Sequence, residues 1–211
     1  MQTKFLGVII DQKLSWKEHI NYAQKKIAKG IGIICKTKAI LNVSTLVTLY
    51  NSFVYPYLNY AVEVWGDTHS CYLEPIVKLQ KKAVRIITKS KRYAHTESLF
   101  HQLKILNLEK IHVYKVAIAM FRLIDGKTPL VFSELFQYNH SIHSYGTRQS
   151  AKFHVPITKV EYMKRSITVK GVNIWNNLYD IIRHDCMLQT YKYHLRIYLI
   201  QLQNTRHIYN L

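Results

Sequence analysis

Lys4-Phe5-Leu6-Gly7-Val8-Ile9-Ile10-Asp11, followed by Leu14-Ser15-Trp16 and His19-Ile20, is the stretch around which the rest of the chain is organised. Residues 4–10 are a short apolar run with a glycine inside it. That pattern predicts a buried strand with a close backbone approach at Gly7. Asp11-Gln12-Lys13 is the polar turn that follows, and a helix starts at Ser15. Ser15 and Glu18 stand at capping-box spacing, each able to satisfy a free backbone donor of the first turn. The helix is expected to reach about Ile40. Trp16, Ile20, Ala23, Ile27, Ile31 and Ile34 recur every three or four residues, which confines them to a stripe roughly 80° wide. Lys25, Lys29 and Lys36 fall on the opposite side, as a basic face either solvated or turned to an anionic partner.

A second helical stretch begins near Ser44. Leu46, Val47, Tyr50, Phe53, Val54, Tyr57, Leu58, Ala61, Val64 and Trp65 make it apolar over more than half its circumference, which places it in a core. Pro56 has no backbone donor and should kink or split it near Val54–Tyr55. A third helix, from about Leu73 to Thr88, is amphipathic in a different way. Between Lys78 and Arg92 the chain carries seven basic residues and no acidic one. Lys78, Lys82, Arg85, Lys89 and Arg92 are spaced i, i+4, i+7, i+11 and i+14, which lines them along one helical face. Leu73, Ile76, Val77, Ala83, Val84 and Ile87 cluster on the other. The basic face is a rail of charge at intervals of about 5–6 Å, close to the phosphate spacing of a duplex strand. Solvated faces usually mix signs, and the absence of carboxylates favours phosphate contact here.

Further helices are expected at Thr96–Leu103, at Leu108–Ile124 (ended by Gly126) and from Thr128-Pro129 through Phe136. Residues 137–165 break the helical period and are polar. Two last helices are expected near Ser166–Asn177 and Leu188–Leu202. With only seven glycines and four prolines, the chain reads as mainly helical.

Thirty basic residues against twelve acidic ones leave a net charge of +18, far more than solubility requires. Such an excess favours a polyanion, nucleic acid before an anionic membrane surface. No stretch has the length of a transmembrane span, and no apolar signal segment opens the sequence. The three cysteines are odd in number and far apart, which reads as reduced thiols and an intracellular setting, cytoplasm or nucleus.

The run Lys-Phe-Leu-Gly-Val, then Ser-Trp, then His-Ile resembles the palm-to-thumb junction of reverse transcriptases from non-LTR retrotransposons of the LINE type, in the jockey/CR1-like branch. Tyr50, Pro56, Tyr60 and Trp65 resemble that family's thumb pattern of Leu-Tyr, Pro-x-Leu-x-Tyr and Val-Trp-Gly. Leu79-Gln80-Lys81-Lys82-Ala83-Val84-Arg85 resembles its Leu-Gln-(basic)-x-Ala-x-Arg signature. His143-Ser144-Tyr145-Gly146-Thr147-Arg148-Gln149 and the stretch Ser166, Gly171, Ile174-Trp175-Asn176, Leu178 resemble segments of its C-terminal tail. The resemblance runs from Lys4 to about Ile200.

It implies a mainly α fold, a thumb-like helical bundle with a short β strand or hairpin at the N-terminus. Residues 1–14 would be a remnant of the palm and primer grip, 15–136 the thumb-like helical domain, 137–165 a polar linker, and 166–211 a C-terminal helical tail. Phe5, Leu6 and Gly7 would be primer-grip-like. Lys78, Lys82, Arg85, Lys89 and Arg92, with Lys25, Lys29 and Arg148, would meet the backbone of RNA or of an RNA–DNA duplex. As a lone arginine, Arg148 is more often a structural ion-pair partner than a phosphate clasp. No membrane partner and no small-molecule substrate are expected.

Chemistry is not expected of the chain alone. A polymerase holds two Mg²⁺ with clustered carboxylates, whereas Asp11, Asp67, Asp125, Asp180 and Asp185 stand singly and the family's Asp-Asp dipeptide is absent. His140/His143 and His184/Cys186 lack paired zinc spacing, and no Gly-rich phosphate loop occurs. No metal or cofactor is expected, although the parent enzyme would use Mg²⁺. The expected function is therefore that of a non-catalytic fragment, encoded by a truncated copy, retaining template–primer binding. Parting from the palm should expose apolar surface at Phe5, Val8 and Ile9 and favour self-association. A helical structural or interaction protein, or a non-functional relic of a mobile element, is the alternative.

Overall fold

Leu6 and Gly7 both adopt positive φ, 44° and 84°. They form the two-residue turn of a hairpin whose strands, β1 (Gln2–Phe5) and β2 (Val8–Asp11), pair antiparallel with Phe5 opposite Val8 and Gln2 opposite Asp11. Positive φ at both central residues is the type I′ turn, whose twist suits adjacent strands. The single buried strand expected over residues 4–10 is thus corrected. The glycine reverses the chain, β1 is exposed along its length, and β2 is half-buried. The Gly7 backbone does lie against a neighbour, with a Cβ there meeting the Tyr60 ring at 3.6 Å. The Tyr60 hydroxyl donates to the Leu6 carbonyl.

The computed structural model describes residues 2–142, 146, 148–179, 182 and 187–203. They are mainly helical, and the hairpin is the two-stranded sheet among them. They divide into two compact units, one within residues 2–112 with 199–203 and the other within residues 113–198.

In the first unit, helix α1 (Lys17–Thr37) begins without the expected capping box. Its cap residue is Trp16, held at φ 61°, and the Asp11 carboxylate takes the N–H groups of Ser15 (3.0 Å) and Trp16 (2.8 Å). A carboxylate at this end also opposes the positive pole of the helix. The predicted stripe packs as expected, with Ile20, Ala23, Ile27, Ile31 and Ile34 buried, while Trp16 is only half-buried and the helix stops three residues short of Ile40.

Pro56 divides the next stretch as anticipated, into α2 (Val43–Phe53) and α3 (Tyr55–Asn59). A second break at Ala61 (φ 50°) follows, and then α4 (Val62–Trp65). Leu46, Tyr50, Val54, Leu58, Val62 and Trp65 are wholly buried, whereas Phe53, Tyr60 and Val64 face solvent. Trp65 donates from Nε1 to the Tyr60 carbonyl at 2.9 Å. Gly66 is required by closeness, because a Cβ there would meet the Val62 carbonyl oxygen at 2.5 Å and His112 at 2.6 Å.

Helix α5 (Ser70–Ile87) starts earlier than predicted, carries Pro75 within it, and packs along α1. Its buried face is Ile76, Ala83, Val84 and Ile87, with Gln80 among them. After α6 (Glu97–Gln102) comes α7 (Leu108–Ile124), with the predicted bounds; the division between the units falls within it.

The second unit holds α8 (Leu130–Ser133), α9 (Asn139–Ile142), α10 (Glu161–Lys164), a π-helical turn (Ile167–Gly171) running into α11 (Val172–Tyr179), and most of α12 (Leu188–Leu202). Its aromatic core includes Phe121 stacked on Tyr191 at 4.5 Å. Asn176, from the Trp-Asn motif, pairs through both amide atoms with the backbone of Phe153. His143, Ser144, Tyr145, Thr147, Asp180, His184, Asp185 and Cys186 lie outside the described residues.

Candidate nucleic-acid interface

The last two turns of α5 set the geometry of the basic surface. Helix α5 ends at Ile87, so Lys89 and Arg92 do not ride the helical face on which their spacing places them. A Schellman closure replaces that face. The Lys89 N–H donates to the Ile86 carbonyl at 3.2 Å and the Ser90 N–H to the Arg85 carbonyl at 3.0 Å, with Lys89 at φ 54° in the left-handed position that glycine usually fills. Thr88 and Ser90 hydroxyls meet at 2.8 Å, and Arg85 Nε donates to the Ala94 carbonyl at 2.9 Å. The loop is thereby folded back along the helix it has just left.

The outcome is one open groove of 1110 Å³ that all five rail residues line: Lys78, Lys82, Arg85, Lys89 and Arg92. Lys38 enters from just beyond α1, with Ala39, Ile86, Ser90 and Tyr93 completing the lining. The rail's residues are brought together, though by loop closure rather than by helical period alone.

Two expectations need correcting. Lys78 has a carboxylate partner after all, Glu74 one turn earlier at 2.8 Å, on residues 71% and 61% exposed. The preceding turn supplies the acid that residues 78–92 lack, and a pair this exposed contributes little to stability. Hydrogen bonding to Lys78 lowers the Glu74 pKa. Arg85 is half-buried and spends one donor on Ala94, so it is partly structural.

Lys25 and Lys29 are exposed on α1 and do not line this groove. Arg148 lies exposed in a turn of the second unit. Phe5 (62% exposed), Leu6 (74%) and Gly7 form the tip of the hairpin, also outside the groove lining. Lys38 and Tyr93 are groove residues that sequence reasoning missed. Lys38 falls where a helix was expected to continue, and Tyr93 carries no periodic signal; its placement beside Arg92 was the one available hint.

The hairpin is seated by His19. Its Nδ1 accepts the Ile9 N–H at 3.4 Å, and its ring lies 5.7 Å from that of Trp65. Burial holds the imidazole below its usual pKa, in keeping with a neutral acceptor. Among the described residues no helix is long and apolar enough to cross a membrane, and no three His, Cys, Asp or Glu side chains group as metal ligands.

About half of the chain aligns with polymerases of mobile elements. Over 109 residues, 50% of this chain, it is 30% identical to an RNA-directed DNA polymerase from mobile element jockey of Drosophila melanogaster. The Drosophila funebris protein of the same name is 30% identical over 105 residues, and a probable RNA-directed DNA polymerase from transposon X-element of Drosophila melanogaster is 26% identical over 106. In each case the match spans 12% of the relative's length. No family model and no solved structure matches the chain. The chain is thus similar to one part of the RNA-directed DNA polymerases of non-LTR elements, as its motifs suggest.

Proposed function

We propose, from this kinship with mobile-element polymerases, that the chain corresponds to the thumb of a non-LTR reverse transcriptase and holds the template–primer duplex by its phosphates. The observation that carries this reading is the convergence of Lys78, Lys82, Arg85, Lys89 and Arg92 with Lys38 on one groove. Cations on a hydrogen-bonded helix end and a tied loop offer fixed positions to a strand's phosphates, which is backbone binding without base readout. Within a whole polymerase, the hairpin tip at Phe5-Leu6-Gly7 would support the primer end. The carboxylates that bind catalytic metal would come from elsewhere in such an enzyme, so the chain alone should extend no primer with Mg²⁺ or Mn²⁺.

Duplex affinity should be largely independent of sequence and fall steeply with salt. Changing Lys38, Lys82 and Lys89 together to Gln should flatten the slope of log affinity against log salt by about two to three units, since each contact contributes roughly 0.9. Arg85 is spared because of its bond to Ala94. The matched change of exposed Lys13, Lys17 and Lys159 should do much less. Equal loss in both variants would reduce the groove to diffuse charge and favour a structural or interaction role for the bundle.

A further inference from the structure

Tyr93 is 86% exposed in a groove otherwise dominated by cations. Its loop is held firmly. Arg85 grips Ala94, the Ala94 N–H donates to the Lys91 carbonyl at 3.0 Å, and the Schellman closure anchors the other end. The Arg92 guanidinium lies over the Tyr93 ring, 5.9 Å from its centroid. At 86% exposure the opposite face of the ring is open. A site that only tracked phosphates would need no aromatic group here, and leaving one in water forfeits the burial that usually recompenses its size.

We propose that Tyr93 is a stacking platform for an unpaired base, so that the groove takes a duplex flanked by a single-stranded nucleotide in preference to duplex alone. This deepens the nucleic-acid reading of the groove and rests on it. Bases inside a duplex already stack on both faces and offer an aromatic side chain nothing. An unpaired base next to the phosphates held by Lys89 and Arg92 has a free face to lay on the phenol ring. Arg92 behind the ring adds cation–π attraction and charge for the adjoining phosphate. Such stacking tolerates any base, consistent with a backbone-reading site.

The test uses the full chain and two probes, a blunt RNA–DNA duplex and the same duplex carrying a short unpaired tail, at one salt concentration. The tailed probe should bind tighter by on the order of tenfold, the effect of one stacked base. Tyr93→Ala should abolish that preference and Tyr93→Phe should keep it, each read as the ratio of tailed-probe to blunt-duplex affinity within the one variant. Equal binding of the two probes by the unaltered chain, or a preference that survives Tyr93→Ala, overturns the platform. The phosphate groove is judged separately, by the salt slope of the blunt duplex in the Lys38, Lys82 and Lys89 variant.

Discussion

The Tyr50 phenolic oxygen accepts a hydrogen bond from the Gln80 side-chain amide at 2.9 Å, with both residues buried between α2 and α5. The same amide nitrogen donates to the Leu106 carbonyl at 2.9 Å, and Gln80 Oε1 accepts the Leu108 N–H at 2.9 Å. One glutamine therefore joins α2 to α5 and caps the start of α7. Burial pushes the Tyr50 hydroxyl well above its ordinary pKa, keeping it neutral throughout the physiological range. Gln80 stands on the buried face of α5, away from the groove that the rail residues line.

Gln80→Leu should destabilise the chain by roughly 3 kcal/mol or more, since buried groups at Leu106 and Leu108 lose their partners. Tyr50→Phe should cost about 1 kcal/mol. The double variant should fall short of the sum in urea denaturation, because the two share one bond. Additive losses would show that the residues act independently.

Lys89→Gly should raise stability by about 0.5–1 kcal/mol, by relieving the left-handed conformation at a helix end. It should also remove roughly one phosphate contact from the salt slope. Thermal melts and duplex titrations read the two effects on one variant. Lys89→Gln should change binding alike and leave the melt where it was.

The hairpin turn offers a matched pair of changes. Asn tolerates positive φ better than Leu, so Leu6→Asn should stabilise the hairpin by about 0.5 kcal/mol. Gly7→Ala should cost about 1 kcal/mol at φ 84°. Amide exchange in Val8–Asp11 is the readout; opposite shifts are expected, and slowing in both variants would refute the type I′ assignment.

Acid should loosen the hairpin from α1. The folded His19 pKa is depressed by burial, while the unfolded chain takes up this proton near pH 6.5. Stability from neutral His19 is therefore complete above pH 6.5, declines as pH drops below it, and is lost once the folded imidazole protonates. Protonated, Nδ1 can no longer accept from Ile9. Asp11 follows at lower pH: burial acts to raise its pKa, but the Ser15 and Trp16 N–H groups outweigh that and lower it, so its contribution fades below about pH 3.8. His19→Gln should remove the first step of the pH–stability curve and keep the second.

What the sequence determined by itself was the longer helices and the apolar faces of α1 and α5. Burial on a helix repeats with the helical turn, so the Ile20–Ile34 stripe and the bounds of α7 and α12 were legible without coordinates. The Pro56 break was legible too, because a missing donor acts locally. Gln80 was visible as a motif residue but not as a hub, since its partners lie 26 to 30 residues away and no period reports them. The cap of α1 went to Asp11 rather than Ser15 because the hairpin returns a carboxylate to the helix start, a relation between elements. The groove divides the same way. Charge and spacing singled out its five cations, but α5 ends before two of them. Only the tertiary structure, through the Arg85–Ala94 bond and the left-handed Lys89, folds the loop back so that all five, with Lys38 and Tyr93, line one surface.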